Sequence, residues 1–107
     1  MSYFDRDGNP MTMEEWAKTF GDREYKVVKQ TAVGDKRIST VWLGLDHNYF
    51  DEGDGPIIFE TMVFPEEGYD DLYMERYKTE EEAIAGHNHV HAEIERNGGK
   101  DILYEGV

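Results

Sequence analysis

No cysteine occurs in the 107 residues, so neither a disulfide framework nor a thiolate zinc site is available. No apolar run approaches the length of a membrane span, and the opening MSYFDRDGNP carries no apolar signal region. The expectation is a soluble, cytoplasmic protein without membrane contact. There is no Gly-x-Ser-x-Gly elbow, no phosphate-binding glycine loop and no thiol nucleophile, so the case for an enzyme is thin. No repeat, linker or low-complexity segment divides the chain. Residues 1–107 read as one domain, long enough to bury a core without staples.

Bases are scarce in one part of the chain only. Residues 1–45 carry seven acids and seven bases, whereas residues 46–107 carry seventeen acids against Arg76, Lys78, Arg96 and Lys100. The entire net charge of −13 therefore arises after Leu45. Phosphates would be repelled by such a surface, which argues against direct nucleic-acid binding. Its natural complement is a basic protein surface or a metal ion, and its blandest use is solubility.

Two apolar segments organise the chain, Ile38–Leu45 (ISTVWLGL) and Ile57–Phe64 (IIFETMVF), joined by the acidic loop Asp46–Pro56. Both are rich in β-branched and aromatic residues and end at turn formers, as strands do. Neither alternates cleanly, because Val41-Trp42-Leu43 and Ile57-Ile58-Phe59 are unbroken apolar runs. Such runs predict central antiparallel strands covered on both faces. Tyr25–Val33 reads as a partly exposed edge strand that turns at Gly34-Asp35 into Ile38, and Leu72–Tyr77 as a fourth strand. Residues 3–10 form a short strand entering a turn. They lack the acid that a calcium loop needs at its twelfth position, which falls on Trp16.

Thr12 and Glu15 have capping-box spacing and open a short helix with Met13, Trp16, Ala17 and Phe20 on its apolar side and Gly21 as its stop. Thr79 and Glu82 repeat the box and open a long helix to about Asn97. Its apolar positions are Ala83, Ile84, Val90 and Ile94. At 100° per residue His87 falls between them, His91 at the margin and His89 on the far side. The tail reads either as a short strand through Ile102–Tyr104 or as a loose end. The fold class is α+β: an antiparallel sheet of about four strands in meander order, the C-terminal helix across one face, and a short N-terminal helix.

Three sets of residues carry candidate chemistry. His87 and His91 stand at the i, i+4 spacing that lets two imidazoles share a metal. Position 88 is Asn rather than the Glu of a metal hydrolase, and a third ligand would have to come from elsewhere, such as His47, Asp46 or Glu60. The simpler reading is a core histidine bonded to a strand residue. Glu60 shares a face with Ile58 and Met62; beneath the last helix it is a buried carboxylate in need of His87 or Arg76. In the loop, Asp46, Asp51, Glu52 and Asp54 could meet a hard cation, although their spacing does not match the helix–loop–helix calcium pattern. Tyr49 and Phe50 at its tip suit a protein contact.

At STVWLGLDH (Ser39–His47), IFETMVF (Ile58–Phe64) and RYKTEEEAIAGH (Arg76–His87) the chain resembles a family of small uncharacterised proteins from bacteriophages and actinobacteria, which often open on a turn like Asp7–Pro10. The resemblance spans most of the chain and implies origin rather than mechanism. Asp46, His47, Glu60, Thr61 and His87 fall in its motifs; His89 and His91 do not.

The preferred expectation is a non-enzymatic, phage-type accessory protein without cofactor, whose acidic second part docks on a basic surface of a host protein. A small hydrolase or metal-binding protein with its site at Glu60, His87 and Asp46 or His47 is the alternative. So is a homodimer formed through an uncovered sheet face carrying Trp42 or Ile57–Phe59.

Overall fold

A computed structural model describes residues 2–47, 55–68 and 72–96 of the chain. The described elements run β1 (Tyr3–Phe4), β2 (Pro10–Met11), α1 (Met13–Phe20), α2 (Arg23–Lys26), β3 (Val27–Val33), β4 (Lys36–Trp42), β5 (Phe59–Pro65), β6 (Tyr73–Tyr77) and α3 (Glu80–Arg96). Strands β3 to β6 form one antiparallel sheet in meander order, and β1 and β2 pair as a small hairpin. The C-terminal helix packs on the sheet, so the α+β architecture read from the sequence is the one observed. The expected tail strand through Ile102–Tyr104 lies outside the described residues.

Local chemistry sets these boundaries. Thr12 accepts the Glu15 amide and Glu15 accepts the Thr12 amide, a complete capping box at the start of α1. This arrangement also holds the Glu15 carboxyl below the usual carboxylate range. Thr79 accepts the Glu82 amide at 3.1 Å at the start of α3. The β3–β4 turn has two residues, and Gly34 supplies its positive φ of 58°. Asp5 is consumed by its own turn, its carboxylate accepting the amides of Asp7 and Asn9.

The sheet alternates more cleanly than its sequence suggests. Every second residue of β4, from Lys36 to Trp42, is buried, and the residues between are half-buried. The register aligns Trp42 with Phe59 and Tyr77, Thr40 with Thr61, and Ile38 with Val63 and Tyr73 on one face. All three helices pack on that face: Trp16, Phe20 and Tyr25 close around Trp42, and α3 covers the rest. The expected cover on both faces is therefore corrected, because among the described residues no helix crosses the opposite face. The same finding corrects the expected uncovered apolar surface: Trp42, Ile58 and Phe59 lie in the core.

Three further expectations change. Met13 is 62 % exposed and Ala17 is exposed, because the α1 face that meets the sheet carries Trp16 and Phe20. Tyr25 and Lys26, expected at the start of a strand, belong instead to the single turn of α2, whose cap Asp22 accepts two amides. Ile84 is 37 % exposed, because Ala83 and His87 hold the centre of the buried stripe of α3.

Gly44 fixes the junction after β4. Its φ is 74°, and a Cβ there would lie 2.5 Å from the rings of both Trp16 and Trp42. The close approach lets the Trp16 indole donate to the Leu43 carbonyl and the Trp42 indole to the Phe4 carbonyl, both at 2.9 Å.

Candidate functional site

The core has two apolar layers with a polar layer between them. Trp42, Ile58, Phe59, Tyr77 and Ala83 form one, and Ile38, Val63, Val90 and Ile94 the other. Between them lie Thr40 and Thr61 from neighbouring strands and His87 from α3, all with no exposed surface. Spacing on α3 produces the sandwich, since residues 83, 87, 90 and 94 share one helical face.

His87 is bonded at both ring nitrogens. Nδ1 meets the Thr40 hydroxyl at 2.7 Å, and Nε2 meets the Thr31 hydroxyl at 2.9 Å. The Thr40 hydroxyl continues to that of Thr61 at 2.5 Å. A neutral imidazole has one donor and one acceptor, and hydroxyls can answer either, so the chain closes with every ring nitrogen satisfied. Burial above all, then the positive charge of Lys29, lowers the His87 pKa to about 4. Beside the cluster, Gly86 is occupied by the Tyr77 ring; a Cβ on Gly86 would stand 2.1 Å from the Tyr77 oxygen. Burial raises the Tyr77 phenol above its ordinary pKa.

Glu60 is on the other side of the sheet. It pairs in register with Val41 and Arg76, opposite in direction to Thr61, and is 8 % exposed. Arg76 Nε donates to its carboxylate at 3.0 Å. The pairing of Glu60 with Arg76 that the sequence offered is thus the one formed. The combined Glu60–His87 site is corrected, because the odd–even alternation of β5 sends Glu60 and His87's partner Thr61 to opposite faces.

Asp46 and His47 leave β4 on the side of Glu60. Asp46 accepts the Ile57 amide at 3.0 Å, and the His47 amide donates to the Ile57 carbonyl at 2.8 Å. Burial first, and then the nearby Arg76 charge, lower the His47 pKa below its ordinary value. These bonds clamp the two ends of the acidic loop. Tyr49, Phe50, Asp51, Glu52 and Asp54 lie outside the described residues.

The shared metal site at His87 and His91 is corrected as well. Both nitrogens of His87 face threonines within the core, while His91 turns outward to Glu95 at 2.6 Å. Among the described residues no three His, Asp or Glu side chains are grouped to hold a metal. None of the described helices is long and apolar enough to cross a membrane.

Sequence reasoning foresaw the inward turn of His87 but did not identify Thr31 and Thr40 as its partners. The available signal was phase: Thr40 lies between Ile38 and Trp42, and Thr61 between Phe59 and Val63, at the core-facing positions of both strands. Scans against protein-family models, curated proteins and solved structures return no match to this chain.

Proposed function

We propose that this is a non-enzymatic binding protein whose acidic second part engages a basic surface of a protein partner. The observation that carries the reading is the segregation of charge, with the whole −13 arising after Leu45. Two of the bases in that part are held by acids: Arg76 by Glu60 and Arg96 by Glu93. Glu66, Glu67 and Glu81 are exposed and have no cationic partner among the described residues. Field of this sign steers association with a basic surface and falls off with salt. The closed bonding of His87 supports the same reading, since a histidine with both nitrogens engaged in the core has none to offer a substrate. Resemblance of three segments to phage proteins extends the proposal to an accessory role in a host cytoplasm.

Immobilised protein exposed to lysate of the native host tests this. The reading expects capture of a basic protein that is released progressively between about 0.1 and 1 M salt, as the screening length falls from about 10 to 3 Å. Capture indifferent to ionic strength overturns it.

A further inference from the structure

The sheet ends at β3, and this edge is open. The turn at Gly34-Asp35 has two residues, so Val33 exchanges both backbone bonds with Lys36, and Thr31 does so with Ile38. The alternate residues Gln30 and Ala32 therefore aim their N–H and C=O groups away from β4. Among the described residues nothing bonds those groups. An edge is ordinarily guarded by a proline, a projecting lysine or a covering element. Lys29 does not project, because its ammonium is drawn onto α3 and donates to Asn88 at 2.7 Å. Gln30 lies back along the sheet, bonded to Arg23 and Ser39, and Ala32 is small and exposed.

A basin of about 570 Å³ runs along this edge on the face away from α3, between Arg23, Gln30, Ala32, Ser39, Arg37 and Phe64. No carboxylate lines it among the described residues. Arg37 is already engaged by the Pro65 and Gly68 carbonyls and lies over the Phe64 ring. Arg23 is the cation that sets the basin's character: it donates to the neutral Gln30 side chain at 3.1 Å and meets no acid among the described residues. The nearby acids point elsewhere. Asp46 accepts the Ile57 amide and Glu60 holds Arg76 toward the other end of the strands, and Asp35 pairs with Lys36. Glu24 follows Arg23 on α2 without lining the basin.

Open backbone groups call for an extended chain, and the basin selects its side chains. A strand added to β3 turns every second side chain to the face of Gln30 and Ala32, beside the basin. A second copy supplies no acid there. Its own β3 would present Gln30 and Ala32, and its β6 Met74 and Arg76, leaving Arg23 unanswered. We infer that the β3 edge takes up an extended acidic segment of a protein partner, which joins the four-stranded sheet as a further strand and sets a carboxylate against Arg23. Backbone bonds at Gln30 and Ala32 supply affinity, and the Arg23 charge supplies selection. This site lies in the neutral first part of the chain, so it stands or falls separately from the proposed contact through the acidic second part.

Defined peptides test it on the whole chain. The probe is a blocked octapeptide of alternating valine and threonine with one central glutamate. Its controls carry glutamine there, or N-methyl groups on alternate amides. The glutamate peptide should slow hydrogen exchange at the Gln30 and Ala32 amides and bind about tenfold more tightly than the glutamine peptide. N-methylation should abolish binding. Arg23→Gln, with unchanged circular dichroism, should bind the glutamate and glutamine peptides alike. No binding of the glutamate peptide at millimolar concentration, equal binding of both peptides by the parent chain, slowed exchange only at other amides, or an Arg23→Gln chain that still prefers glutamate overturns the inference. So does protection of the Gln30 and Ala32 amides by self-association without peptide.

Discussion

Protonating His87 would place a charge in the core, within reach of the Lys29 charge. Desolvation makes that costly, so the folded protein leaves the ring neutral down to about pH 4 while the unfolded chain takes the proton near 6.5. Where the unfolded state binds more protons, stability rises with pH. The contribution of His87 is therefore complete above about pH 6.5, declines as pH falls toward 4 and changes no further below that. The full difference is about 3 kcal/mol. Urea unfolding at pH 7, 5 and 4 checks it. A His87→Gln variant should be less stable at pH 7 yet lose less stability on acidification than the parent, which separates this group from the carboxylates and from His47. Of this cluster the histidine was legible from helical phase alone. Its threonine partners were not, because threonine is as common on a wet strand face as on a dry one, and only cross-strand register tells which face it occupies.

At the scale of elements, sequence patterns fared best where local bonds decide. The Thr12 capping box, the Thr79 hydroxyl cap of α3, the Gly34 turn and the order of the four sheet strands follow from short-range chemistry and are all present, although at Thr79 the Glu82 carboxylate meets the hydroxyl rather than closing the expected box. They fared worst where an element's two faces meet different neighbours. Val41-Trp42-Leu43 looked like a strand buried on both sides, yet Trp42 is in the core and Val41 on the uncovered face. Composition cannot separate a covered face from an apolar face left open. The same limit merged Glu60 and His87 into one site, although the sheet stands between them. Helix–sheet fit offers a sharp test at Gly86. Glycine to alanine within a helix ordinarily stabilises by about 1 kcal/mol. Here the added methyl meets the Tyr77 ring, so Gly86→Ala should instead destabilise by about 1–3 kcal/mol. Thermal or denaturant unfolding measures the sign directly.

At the scale of the whole molecule, the helix side of the sheet is sealed around His87, while Glu66, Glu67 and Glu81 are exposed carboxylates outside the core. Removing some of those carboxylates should leave the fold intact, or firmer, because like charges oppose compaction. The direct test is capture of the proposed basic partner by a Glu66→Gln/Glu67→Gln/Glu81→Gln variant. Three lost surface contacts at about 0.5 kcal/mol each should weaken capture about tenfold, with unchanged circular dichroism. Undiminished capture by that folded variant would contradict the account.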